Sequence, residues 1–185
     1  NFNRYITEAE FSELAAFIRR EGVVRRFARG ERLSGQGLRS HRCGLVVQGA
    51  FRYVYADAAG EEHVVGYAFA GEFVGDYISM CVDAPSQVTI GAMCGAEALL
   101  VPGARLETFY RTDAACERLG RRLAEHMLAA VYERLLDRYA ASPQQRYEAL
   151  TERCPDVLQL VPLRELASYL GVRPETLSRI RRRVR

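Results

Sequence analysis

Glu175, Ser178 and Arg179 stand three and four residues apart, so a helix through them presents all three on one face. An arginine so placed can donate a fork of two hydrogen bonds to guanine O6 and N7, and a glutamate can accept from cytosine N4. Arg173 precedes this group, and Arg181, Arg182, Arg183 and Arg185 follow it, a density of positive charge suited to phosphate oxygens. The plainer reading of the arginine run is a solvated tail that keeps the chain soluble. The charge distribution favours the first reading. From Leu163 to Arg185 seven arginines face two glutamates, a net +5 in a chain whose total is +3, so the preceding 162 residues sum to −2.

Side chains that read a groove need a rigid mount, and residues 163–182 supply one. Leu166, Leu170, Val172, Leu177 and Ile180 recur where two short helices crossing at a tight turn would share a core. Ala167 is small where the second helix comes close, and Gly171 sits where the turn favours positive φ. Pro174 pre-sets the first turn of the second helix, whereas Arg173, at the expected N-cap, is a poor capping residue. The pattern predicts a helix-turn-helix that binds double-stranded DNA.

The rest of the chain divides by texture. Residues 5–22 read as a helix, with Phe11, Leu14, Ala15, Phe17 and Ile18 at helical spacing, Thr7 and Glu10 as a capping box, and Gly22 ending the run. From Val23 to Pro102 short apolar runs (Val23–Val24, Leu45–Val47, Phe51–Tyr55, His63–Phe69, Leu99–Val101) alternate with glycine-bearing turns, which predicts an antiparallel barrel or jelly roll. Residues 115–141 lack proline and hold a single glycine, Gly120, and so read as one long helix. Its stripe of Ala124, Met127, Val131 and Leu135, backed by Leu123 and Leu128, suits pairing with the same helix of a second subunit; packing on its own barrel is the alternative. Ser142 as N-cap and Pro143 at the first helical position then open a new helix, Gln144 to about Cys154, and mark a hinge.

Composition closes off several classes. The 185 residues are 49% hydrophobic, ample for a packed core. No stretch approaches the ~20 continuous apolar residues of a membrane span. Cys43, Cys81, Cys94, Cys116 and Cys154 are odd in number, scattered and without a CxxC pair, which argues against disulfides or a zinc site and fits a reducing cytoplasm. No cysteine precedes Cys43, against an N-terminal iron–sulfur cluster. His41, His63 and His126 have no His-x-His partner of the kind that opens a jelly-roll metal site, so the expectation is no metal and no enzyme. All 26 basic residues are arginine, which we read as genome composition.

A β-roll, a long helix and a C-terminal helix-turn-helix, in that order, resemble the cyclic-AMP receptor protein/fumarate-nitrate regulator (Crp/Fnr) superfamily of bacterial transcription factors. The resemblance covers the whole chain and is carried best by Val161-Pro162-Leu163-Arg164 through Pro174-Glu175-Thr176-Leu177-Ser178-Arg179-Ile180, and by Gly71-Glu72-Phe73-Val74-Gly75-Asp76. It implies an α+β fold: residues 1–114 a cyclic-nucleotide-binding-like β-roll sensor, 115–141 a dimerisation helix, and 142–185 a winged-helix-like DNA-binding domain whose wing is absent or short. It further implies a cytoplasmic homodimer on a near-palindromic operator, with RNA polymerase as a further partner. Glu175, Ser178 and Arg179 match the family's base-reading residues, pointing to a TTGA-like half-site, with Arg173, Arg181, Arg182 and Arg183 on phosphates. The family's effector pocket maps onto Gly71, Glu72, Gly75, Asp76, Ser86 and Gln87. The arginine that grips a cyclic phosphate is missing, because Ser86 and Gln87 fall there, so cyclic AMP is not the expected effector and no cofactor is assigned. Two readings from other classes stay beside this one, a protein-interaction module built on a helix-turn-helix and a jelly-roll metal-dependent enzyme.

Overall fold

The computed structural model describes residues 2–3, 6–39 and 41–184. The Thr7 hydroxyl accepts from the Glu10 N–H at 3.3 Å, but the first α-helix, α1, spans Ser12–Glu21 rather than 5–22. Residues 8–11 form a separate turn that delivers Phe11, fully buried, as the N-cap; Tyr5 lies outside the described residues. At Gly22 the chain turns straight into a strand so close to α1 that a Cβ would sit 2.4 Å from the Ile18 carbonyl oxygen, so only glycine fits.

Among the described residues eight strands follow: β1 (Val23–Phe27), β2 (Arg32–Ser34), β3 (Arg42–Gln48), β4 (Ala50–Ala56), β5 (Glu62–Phe69), β6 (Phe73–Gly75), then, after the short helix α2 (Tyr77–Cys81), β7 (Thr89–Ala92) and β8 (Ala96–Pro102). They form two four-stranded antiparallel sheets, ordered β1-β8-β3-β6 and β2-β7-β4-β5. Phe27, Leu33, Val46, Phe51, Ile90 and Leu100 fill the space between them, which makes this the expected β-roll. The strands β2, β6 and β7 were not foreseen, because three or four residues carry no readable alternation.

Helices make up the rest: α3 (Gly103–Tyr110), α4 (Ala114–Ala140), α5 (Pro143–Arg153), α6 (Val157–Leu160), α7 (Leu163–Leu170) and α8 (Pro174–Val184). The Asp113 carboxylate caps α4 by accepting from the Ala115 and Cys116 N–H groups, each at 2.8 Å. The first half of α4 buries Leu119 and Leu123 against Phe11, Leu14, Ile18 and Leu106. The second half leaves this packing, and Leu128, Val131, Tyr132, Leu135, Leu136 and Tyr139 are exposed, Tyr139 at 85%. Ser142 is the N-cap of α5 with Pro143 in its first turn, as the sequence predicts, and Gln145 adds the reciprocal half of a capping box. No helix among the described residues is long and apolar enough to cross a membrane.

Candidate functional site

The turn between α7 and α8 depends on one residue. Gly171 takes a left-handed conformation (φ 67°, ψ 38°), and the Val172 N–H donates back to the Ala167 carbonyl at 3.0 Å, closing the helix end. Leu166, Ala167 and Leu177 are then fully buried, Leu170 and Ile180 nearly so, and Val172 packs against them half-buried. Each apolar residue singled out in the sequence therefore lies in the shared core. What remains outside α8 is polar. Glu175 and Arg179 are exposed, Ser178 is half-buried beside them, and an Arg179 Nη2 donates to the Thr176 hydroxyl at 3.4 Å. Arg173, Arg182 and Arg183 are exposed and Arg181 is half-buried; Arg185 lies outside the described residues. Among the described residues these arginines and Arg179 make no ion pair, so their donors are available to an anionic partner.

The opposite side of the same unit is docked on the roll. β5 is an edge strand, and two side chains satisfy its free backbone groups: the Ser168 hydroxyl of α7 accepts from the Val64 N–H at 3.0 Å, and the Arg134 guanidinium of α4 donates to the Val65 carbonyl. Arg52 of β4 pairs with Glu165 of α7 at 2.7 Å. Around these contacts Val54, Val64, Tyr67 and Phe69 share one apolar cluster with Leu150, Leu166 and Leu177. The docking uses α7 and leaves the polar face of α8 free. None of it was foreseen, since each contact joins residues far apart in sequence.

The six residues mapped to an effector pocket are not gathered into one. Glu72 is 1% exposed, and its carboxylate accepts from the Asn3 N–H and Nδ2 (both 3.0 Å) and from the Phe69 N–H (3.2 Å). Asp76 caps α2, accepting from the Ser79 N–H and hydroxyl, and takes the Ser86 hydroxyl at 2.5 Å. Gln87 is exposed, and Gly71 lies in the turn before β6. Only Gly75 and Asp76 line the cavity of about 510 Å³ that runs from the roll to the C-terminal helices. Tyr53 borders it with its hydroxyl accepting from the Gly75 N–H at 3.0 Å, and burial raises that phenol above its ordinary range.

Asp57, Glu61 and His63 form one His/carboxylate group among the described residues compact enough for a metal, with ligand atoms within 4.8 Å of one another. Asp57 is already engaged, with His63 Nε2 at 2.9 Å and the Ala59 and Glu61 N–H groups on its other oxygen. The His63 bond, then the backbone bond from Glu61, hold its carboxyl below the usual range, as expected for a brace at the β4–β5 turn.

Residues 24–113 match a family described as cyclic nucleotide-binding domain. Solved structures share the architecture over nearly the full length. FixK2 from Bradyrhizobium japonicum superposes with a TM-score of 0.74 at 19% identity, over 88% of this chain and 84% of that one. The c-di-GMP responsive global regulator CLP of Xanthomonas campestris gives 0.60 at 18% identity, over 95% and 91%. The Thermus thermophilus catabolite activator protein gives 0.58 at 19% identity, over 95% and 82%. No curated protein sequence matches the chain. Residues 24–113 thus match the cyclic nucleotide-binding domain family, and the β-roll with its two sheets and the helices that follow it share the fold of FixK2 and the catabolite activator protein.

Proposed function

We propose that this protein is a homodimeric, sequence-specific DNA-binding transcription regulator whose roll responds to an effector other than cyclic AMP. The observation that carries this reading is α8: its apolar face is spent on α7, while Glu175, Ser178 and Arg179 share the free face beside unpaired arginines. In this reading Arg179 forks onto guanine, Glu175 accepts from cytosine, and Ser178 hydrogen-bonds beside them. Arg173, Arg181, Arg182 and Arg183 hold phosphates and set register. The exposed row on α4, with Leu128 at 68% and Val131 at 65%, supports pairing with a second subunit, since an apolar surface of that kind is costly in water. Pairing there would set two α8 helices about 34 Å apart, one turn of duplex. Cyclic AMP fits poorly: residues 71–92 contain no arginine, and the Ser86 hydroxyl is already turned onto Asp76. An effector would act through the Ser142–Pro143 joint between α4 and α5, and RNA polymerase in the cytoplasm is the natural further partner.

Selection from random duplex DNA at near-physiological salt tests the reading. An enriched inverted repeat with TTGA-like arms is the expected outcome. Absence of any enriched sequence, both alone and with cell-extract metabolites added, would overturn it.

A further inference from the structure

Four arginines from two helices line the cavity: Arg134 and Arg138 from α4, Arg146 and Arg153 from α5. Arg134 is held only by backbone and ring. It donates to the Val65 and Tyr169 carbonyls and lies over the Tyr169 ring at 4.1 Å, with no ion pair among the described residues. Burial, then the neighbouring Arg138 and Arg153 charges, weaken its hold on its proton. The Nε–H groups of Arg146 and Arg153 are buried with no acceptor among the described residues, although Arg146 Nη1 donates to the Ala141 carbonyl at 2.7 Å, and Arg153 lies over the Phe2 ring at 5.3 Å. A buried donor without an acceptor is destabilising, and two of them beside a third desolvated guanidinium describe a vacant place for negative charge. Of the cavity's carboxylates, Asp76 is spent on Ser79 and Ser86, Glu133 has a partner of its own, and Asp137 is exposed on α4 and makes no ion pair with these arginines among the described residues.

The remaining wall is mostly apolar and aromatic, including Ile6, Phe73, Tyr77, Met127 and Val131, with Asn3, Asp76, Glu133 and Asp137 as its polar members. An inorganic ion would leave most of about 510 Å³ empty, while a cyclic nucleotide would meet few partners for its base and sugar hydroxyls. We propose that the cavity binds an organic acid, a carboxylate on an apolar or aromatic body, with the carboxylate on Arg134 and Arg153 and the body against Phe73 and Met127. Because Arg134 also ties β5 to the Tyr169 carbonyl of α7, a carboxylate competing for that guanidinium would loosen the DNA-binding helices from the roll. Only this consequence rests on the regulator reading; binding itself does not.

Two fluorescent probes make the test: 8-anilinonaphthalene-1-sulfonate, an aromatic anion, and the uncharged N-phenyl-1-naphthylamine. The intact protein is expected to bind the anion saturably, one per chain. Arg134→Gln and Arg153→Gln are each expected to weaken it by about tenfold while changing the neutral probe by less than about twofold. Arg153 makes no hydrogen bond among the described residues, so its replacement breaks none and keeps the test valid if the Arg134 variant misfolds. Decanoate and 1-naphthoate should displace the anion, and the better of the two identifies the body as chain-like or aromatic. Unchanged affinity in the folded variants, or displacement by inorganic phosphate or cyclic AMP at lower concentration than by either acid, would overturn the proposal. Acid binding together with no enriched DNA sequence would instead sink the regulator reading and leave the cavity assignment standing.

Discussion

Arg179 and Arg182 lie three residues apart on α8, both exposed, and the reading of the groove separates them by task. Arg179→Ala should cost about 1–3 kcal/mol on the preferred site and relax preference at one base pair. Equal loss on every duplex would remove its base-reading role. Arg182→Ala should weaken all sequences alike and flatten the salt slope by about one unit in a plot of log affinity against log salt concentration. Thiol reactivity belongs to the same scale. Burial pushes the Cys43 thiol up to about 12 and raises that of Cys154, whereas Cys81 and Cys94 are exposed. Labelling of the folded protein with iodoacetamide near pH 8, read by peptide mass, should modify Cys81 and Cys94 first and Cys43 only on unfolding. Early labelling of Cys43 would mean that the roll opens locally. The residues of α8 were legible because their meaning is local: spacing and side-chain type define a face. Glu72 was not, because its carboxylate is spent on Asn3, 69 positions away. Arg134, Arg146 and Arg153 were not legible, because an arginine on a polar helix looks like solvated surface until its burial is known.

Elements were legible in proportion to their length. The five apolar runs mark β1, β3, β4, β5 and β8, and the absence of helix breakers marks α4, but α6 has four residues and no period to read. Sequence also left open which neighbour α4 packs against, and the structure divides the answer. Leu123 goes to the roll, whereas Leu128, Val131 and Leu135 do not. Leu135→Glu should therefore give a folded chain that sediments as a monomer and binds operator more weakly, because a dimer face would bury that charge without a partner. An unchanged sedimentation coefficient would mean the row serves something other than self-association. The α7–α8 turn permits a similar test. Gly171→Ala meets nothing closer than 3.9 Å, so crowding is not the issue, but φ of +67° disfavours any L side chain, and a loss of about 1–2 kcal/mol is expected in a denaturant titration.

At the scale of the molecule, the boundary drawn in the sequence at Ser142 is a break between α4 and α5 but not a gap in the packing. Val54, Val64, Tyr67 and Phe69 of the roll belong to the same buried cluster as Leu150, Leu166 and Leu177. Besides the Arg134 bridge from Val65 to Tyr169, the polar contacts across this seam include the Ser168–Val64 hydrogen bond and the Arg52–Glu165 pair, whose side chains are 36% and 24% exposed. Losing the first leaves an edge-strand N–H unpaired, about 1 kcal/mol. Losing the second, a pair partly screened by solvent, costs at most about 1 kcal/mol. Each fully buried leucine of the cluster is worth about 1.5–3 kcal/mol in burial alone, so the apolar contacts outweigh both. The double variant Ser168→Ala/Glu165→Gln should therefore still unfold in one calorimetric transition, displaced downward by roughly 4–8 °C for a chain of this size at fixed protein concentration. Two resolved transitions, in the wild type or the variant, would mean that the roll and the C-terminal helices unfold independently. The seam could then not carry a signal from the cavity to α8.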